Sequence, residues 1–192
     1  MTGVDTSGAA GLRPGSVRGA SREEYRDLMC SFPTGVTVIT SLDAAGRPCG
    51  MTCTSMTSVT LRPPTLLVCL RVGSATLEAV RSRGAFAVNL LHHRARRTAE
   101  LFSSPVADRF ERVLWKRSGT GLPWLAEDAF ALADCRVTED REMGDHAMVL
   151  GRVQQVTRAV DTPLLYGLRR FSTWDPAGHD PAHAARQAEE NR

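Results

Sequence analysis

The chain has 192 residues, 42% hydrophobic and 23% charged, which is the composition of one globular domain able to bury a core without staples. A formal net charge of +3 is too weak to imply nucleic acid, and the densest basic run, His92-His93-Arg94-Ala95-Arg96-Arg97, reads as a solvated helix face. No apolar run approaches the roughly 18 residues of a membrane span, so no membrane is expected.

The first 20 residues carry five glycines and no apolar stretch of signal-peptide type, so residues 1–20 are expected to be a disordered arm. Ser21-Arg22-Glu23-Glu24 is a capping box, opening a helix that runs to about Ser31 before Pro33. Gly35–Ser41 is β-branched and reads as a strand. Asp43-Ala44-Ala45-Gly46 is a turn into a second strand near Pro48–Ser55. Short strands follow at about Thr57–Leu61 and Leu66–Arg71. A capped short helix then begins at Gly73-Ser74-Ala75-Thr76. Ala85–Leu90 is another strand and 94–103 is helical. Residues 104–127, with scattered Pro, Gly and Trp, read as a loop-rich excursion. Strands resume at Ala129–Asp140 and Ala147–Ala159, joined around Gly144-Asp145. From Asp175 the chain is Ala, His and charge without periodicity, so 175–192 is expected to be disordered and 21–174 to be the domain.

Short strands that do not alternate strictly with helices argue for an antiparallel barrel decorated by helices, not a doubly wound sheet. No G-x-G-x-x-G follows a strand, and there is no P-loop. The five cysteines are Cys30, Cys49, Cys53, Cys69 and Cys135. Cys49 and Cys53 on one strand would lie about 13 Å apart, beyond disulfide reach, so the cysteines read as reduced thiols of a cytoplasmic protein.

Two stretches suggest binding. Thr52, Thr54, Ser55, Thr57, Ser58 and Thr60 place six hydroxyls in nine positions. Such a run suits a flat ligand with a polar edge, and equally suits strand threonines facing water. Ser74 and Thr76 at a helix start, beside free backbone N–H groups, are competent to hold a phosphate, although Ser74 is also a plain N-cap.

Phe32-Pro33-Thr34-Gly35-Val36-Thr37-Val38, Gly50-Met51-Thr52, Ser55-x-x-Ser58-Val59, Pro63-Pro64, Cys69 with Ser74-x-Thr76, and Phe86-Ala87-Val88-Asn89 occur in unbroken order. Asp108-Arg109-Phe110, Gly144-Asp145-His146 and Pro163-Leu164-Leu165-Tyr166 continue it. The series, from about Tyr25 to Phe171, resembles the short-chain flavin reductase family, the reductase components of two-component flavin monooxygenases.

The resemblance implies a mainly β fold with helices, a six-stranded antiparallel split β-barrel, and a homodimer with flavin near the subunit interface. It implies NAD(P)H:flavin oxidoreductase activity that passes hydride from NADH or NADPH to FMN or FAD and supplies a partner monooxygenase. Pro33 and Thr34, with Thr52, Cys53, Thr54, Ser55 and Ser58, would line the isoalloxazine and ribityl chain. Cys69 and Asn89 match further flavin-side positions, and Ser74 and Thr76 would take the phosphate. His146, as the catalytic-site residue, and the segment Tyr166 to Phe171 would face the nicotinamide cofactor. Two departures stand out. Cys53-Thr54 replaces the family's usual Ala-Asn, and Arg169 replaces a glycine before Arg170, making a cationic rim compatible with a 2′-phosphate. The alternatives are a flavoprotein that retains its flavin and acts on an organic substrate, or a non-catalytic flavin-binding module.

Overall fold

The computed structural model describes residues 19–174, so the expectations for the terminal arm and tail fall mainly outside the described residues. The first helix, α1 (Arg22–Cys30), starts on the capping box: Glu24 N–H donates to the Ser21 hydroxyl and Ser21 N–H to the Glu24 carboxylate. No residue of α1 is buried.

The strands that follow are β1 (Thr34–Gly35), β2 (Thr37–Leu42), β3 (Pro48–Cys53), β4 (Met56–Leu61) and β5 (Pro64–Arg71). Helix α2 (Ala75–Arg83) is capped by Ser74 and stopped by Gly84, whose φ of 65° is the left-handed conformation that glycine adopts without penalty. Strand β6 (Ala85–Leu91) and helix α3 (Arg96–Ser103) come next. The excursion after α3 carries a 3₁₀ turn at Arg109–Glu111 and a small two-stranded sheet, β7 (Lys116–Arg117) with β8 (Pro123–Trp124). Two long strands, β9 (Ala129–Met143) and β10 (His146–Arg158), are followed by a hairpin, β11 (Leu164–Gly167) and β12 (Arg170–Thr173).

The architecture is mainly β with few helices, as expected. The main sheet has seven strands in the order β3-β2-β6-β9-β10-β5-β4, one more than the six anticipated, with every neighbour antiparallel. A second sheet, β1-β11-β12, was not foreseen, because four-residue strands around Gly167 are too short to show a period.

Both faces of β2 are buried, which accounts for its Val-Ile content. Its three hydroxyls are satisfied by carbonyls: Thr37 donates to Cys53 at 2.7 Å, Thr40 to Pro123 at 2.6 Å and Ser41 to Ala85 at 2.8 Å. On one side of the sheet Ile39, Val68, Leu70, Phe86 and Val149 pack with Leu77 and Val80 of α2. On the other, Val36, Val38 and Leu91 pack with Ala99 and Phe102 of α3, Leu125, and Leu164 of β11. Arg109 ties the excursion to the sheet by donating to the carbonyls of Gly50 and Ser104.

Candidate active site

The hairpin β11–β12 turns through Leu168 and Arg169, both at positive φ (50° and 58°), the signature of a two-residue type I′ turn. Neither residue is glycine, so the turn needs outside support. It comes from α1: Leu168 N–H donates to the Cys30 carbonyl at 2.6 Å, and the Arg169 guanidinium meets Asp27 at 2.7 Å. Across the hairpin Tyr166 and Phe171 stand opposite each other with ring centroids 5.1 Å apart. The Arg96 guanidinium lies over the Phe171 ring, 5.4 Å from its centroid.

Two clefts meet at this hairpin. The first, about 290 Å³, lies between α1 and the β1–β11 edge, with Arg26, Met29 and Phe32 on one wall and Thr34, Thr54 and Tyr166 on the other. The second, about 270 Å³, lies between α3 and the hairpin, lined by Thr52, Thr54, Glu100, Tyr166 and Phe171 among others. Thr54 and Tyr166 belong to both. The apolar residues Tyr25 and Met29 of α1, with Phe32 just after it, are exposed and line this cleft and not the core.

The hydroxyl run resolves into individual roles. Thr52 donates to the Ala99 carbonyl of α3 at 2.6 Å, and Ser55 to the Cys69 carbonyl at 3.1 Å. The Thr57 hydroxyl contacts the Ser58 carbonyl at 3.4 Å, and Thr60 accepts from Arg62 N–H. Thr54 and Ser58 are the members of the run with no protein partner among the described residues, and of these Thr54 lines the clefts. The Cys53 thiol is buried against Ser55 and the Cys69 carbonyl, and that burial pushes its pKa up, so it is an inert wall and no nucleophile.

The structure places the other expected residues as follows. Pro33 abuts the hairpin: a Cβ on Gly167 would lie 2.9 Å from the Pro33 Cβ. Ser74 accepts from Leu77 N–H as N-cap of α2, leaving the Ala75 and Thr76 N–H groups without an intrahelical acceptor. Thr76 itself is buried. His146 opens β10 directly opposite Arg71 of β5, with Nδ1 2.8 Å from the Asp145 carboxylate, which this hydrogen bond holds below the usual carboxylate range. The Asp145 carbonyl accepts from Val72 N–H, so His146 adjoins the approach to α2.

One expectation is corrected. Asn89 does not face either cleft: it is fully buried, its amide donates to the Val38 carbonyl and the Thr40 hydroxyl at 3.1 Å each, and its oxygen accepts from Leu125 N–H at 2.9 Å. Both donors of the amide are spent and its oxygen is out of reach of either cleft. His146 is among the lining residues of neither of these two clefts. Arg170 opens β12, where it pairs with Gly167.

The sequence reading missed the α1 wall and the contribution of Glu100 and Ser103 from α3. The signal for α1 was present as apolar residues at 25, 28, 29 and 32, a helical stripe, but a stripe alone does not say whether it faces a core or a cleft.

Among the described residues no cluster of His, Cys, Asp or Glu could hold a metal ion, and no helix is long and apolar enough to cross a membrane. Residues 29–175 match the family model described as Flavin reductase like domain, most of the chain. The chain belongs to the flavin reductase-like family. A flavin reductase (NADPH) from Lentzea aerocolonigenes is 59% identical over 167 residues, covering 86% of this chain and 96% of the relative. The reductase subunit HsaB of a flavin-dependent monooxygenase from Mycobacterium tuberculosis is 32% identical over 162 residues, covering 83% and 86%. In structure, the NADH:FAD oxidoreductase SgcE6 of Streptomyces globisporus C-1027, solved with NAD and FAD fragments, superposes with a TM-score of 0.76 at 33% identity, covering 82% of this chain and 94% of that one. The motif series is thus met at the level of family, and with it the expectation of an NAD(P)H-dependent flavin oxidoreductase.

Proposed function

We propose that the protein uses its paired clefts to bring reduced nicotinamide and FMN or FAD together, and that the reduced flavin leaves for a partner monooxygenase. The observation that carries this reading is the sharing of Thr54 and Tyr166 by two adjoining clefts. Two ligands in these clefts would meet at one hydroxyl and one aromatic ring. Hydride passage from nicotinamide to flavin is the chemistry the cofactors supply when bound.

The chain's own contribution is positioning. The unpartnered Thr54 hydroxyl is free to donate to a polar ring edge. Tyr166 and Phe171 offer apolar faces against which a flat ring can rest. The open N–H groups of Ala75 and Thr76 suit a phosphate, and from Ser55 toward them the wall continues through Cys69 and Arg71, which strand geometry separates by roughly 7 Å. His146 opposite Arg71 supplies a ring nitrogen at the rim for the pyridine nucleotide. Neutral contacts of this kind favour exchange over retention of flavin.

The same reading includes three features of assembly. The seven-stranded sheet curls into a split barrel, supported by Cys53 and Ser55 reaching from the end of β3 to the Cys69 carbonyl on β5. The chain pairs as a homodimer, supported by β4, an edge strand exposed along its whole length that carries Met56, Val59 and Leu61. It works in the cytoplasm, consistent with five free cysteines.

The test is oxidation of NADPH or NADH by exhaustively dialysed protein with and without added FMN or FAD. Turnover that depends on added flavin supports the proposal. Full turnover indifferent to added flavin supports a retained cofactor, and no turnover in any combination leaves a binding module.

A further inference from the structure

The first cleft has an uneven charge pattern. Its floor and walls are apolar or hydroxylic (Tyr25, Met29, Phe32, Thr34, Thr54, Tyr166), and Arg26 is the one charged residue among those lining it. Arg26 is exposed on α1, and among the described residues no hydrogen bond or ion pair engages its guanidinium. Among the described residues no carboxylate lines the cleft. Asp27, the next residue, is taken by Arg169 at 2.7 Å. Arg169, which the sequence offered as a phosphate contact, is thereby committed to the turn that seats the hairpin on α1.

This arrangement bears on coenzyme choice. In doubly wound dinucleotide-binding folds a carboxylate meets the ribose 2′-hydroxyl and repels a 2′-phosphate; the fold differs here, and only the electrostatics carry over. A site for the phosphorylated form offers a guanidinium instead, which can make two parallel charge-assisted hydrogen bonds to phosphate. Here the neighbouring Asp27 carboxylate is paired with Arg169, and among the described residues one guanidinium is left without a partner at the mouth of an aromatic-lined cleft.

We infer that Arg26 is the specificity-determining contact for the 2′-phosphate of NADPH, making this chain an NADPH-preferring flavin reductase. The inference rests on the proposed placing of the pyridine nucleotide in the paired clefts. The dinucleotide pyrophosphate, common to both coenzymes, is the competing occupant of the guanidinium, and equal losses with NADPH and NADH would reveal it.

The experiment measures kcat/KM for NADPH and for NADH, at saturating FMN, with the wild type, Arg26→Gln and Arg26→Lys. Inhibition by 2′,5′-ADP and by 5′-ADP is measured alongside as a readout independent of turnover. Wild type should favour NADPH by about tenfold or more. Arg26→Gln should lose about 10- to 100-fold in kcat/KM for NADPH and much less for NADH, collapsing the ratio. The same substitution should abolish the advantage of 2′,5′-ADP over 5′-ADP, and Arg26→Lys should restore part of both. Equal losses with the two coenzymes, an unchanged ratio, or a wild type that favours NADH would overturn the assignment while leaving the reductase reading intact. A wild type that oxidises neither coenzyme with any flavin would overturn both together. The melting temperature of Arg26→Gln should match wild type, since among the described residues the side chain holds no partner.

Discussion

The Thr52 hydroxyl donates to the Ala99 carbonyl at 2.6 Å, whereas Thr54, two residues further along the same run, has no protein partner among the described residues and lines both clefts. One threonine is therefore structural and the other available. Thr52→Val should lower stability by about 1 kcal/mol, the net worth of a typical hydrogen bond, and leave flavin affinity nearly unchanged. Thr54→Val should leave the melt unchanged and weaken flavin or nicotinamide binding by about 2- to 10-fold, the same energy read as affinity. Thermal melts and flavin fluorescence titrations on the two variants check this. The opposite pattern would reverse the two roles.

Asn89 offers a stricter test of the correction made above. Asn89→Ala removes three hydrogen bonds and strands the Leu125 N–H in the interior. An unsatisfied buried group costs about 1–3 kcal/mol, so the variant should be destabilised by at least about 2 kcal/mol in urea unfolding. Its folded fraction should bind flavin as wild type does. A stable variant with poor flavin binding would restore Asn89 to the ligand site.

At the start of α2, Ser74→Ala should cost about 1 kcal/mol of stability through loss of the cap to Leu77 N–H. It should also weaken FMN more than riboflavin if a phosphate sits at the helix start. His146→Ala in the same titrations should leave the flavin dissociation constant unchanged and raise the KM for the pyridine nucleotide. A selective loss of FMN over riboflavin in His146→Ala would place that ring beside the flavin phosphate instead, the end of the site where Arg71 and α2 lie.

Burial pushes the Cys135 thiol up to about 12. The folded value lies above the unfolded one, so its contribution to stability is complete below about pH 8.5 and is lost as pH rises from there towards 12. Urea midpoints measured between pH 8 and pH 10 should therefore fall with a steeper slope for wild type than for Cys135→Ala. Cys53, also raised by burial, should share with Cys135 a resistance to thiol reagents in the native protein. Cys30, which lines the first cleft, should react and should be protected by bound ligand.

What the sequence revealed follows from how local each signal is. The capping box at Ser21 and Glu24 and the Ser74 cap lie within four residues of their partners, and both helices begin where expected. The strands with β-branched runs, such as Thr37–Leu42, were equally legible. The β11–β12 hairpin was not, because its turn uses Leu168 and Arg169 where Asn-Gly would have announced it, and what supports the turn is α1, more than 130 residues earlier in the chain. The division of the hydroxyl run was hidden for the same reason. Whether Thr52 or Thr54 is free depends on where α3 packs, and nothing near residue 52 encodes that. Family resemblance located the clefts' shared residues Thr54 and Tyr166. It also brought in Asn89, whose partners at Val38, Thr40 and Leu125 lie on three separate segments.

The order of strands in the main sheet sets a schedule for assembly. Strands β3, β2 and β6 form one group, β5 and β4 another, and within the sheet the two are joined by the β9–β10 ribbon, whose first strand pairs with β6 and whose second pairs with β5. As the chain emerges from the ribosome, the strands made first have no common sheet to join until residues near Arg158 are available. Until then β5 presents an unpaired flank, as β6 does until β9 is made. The ribbon itself is a local hairpin turning at Gly144-Asp145 and can close quickly once made. Truncation before β10 should therefore leave nascent chains that stick to chaperones, whereas extension past the ribbon should release them.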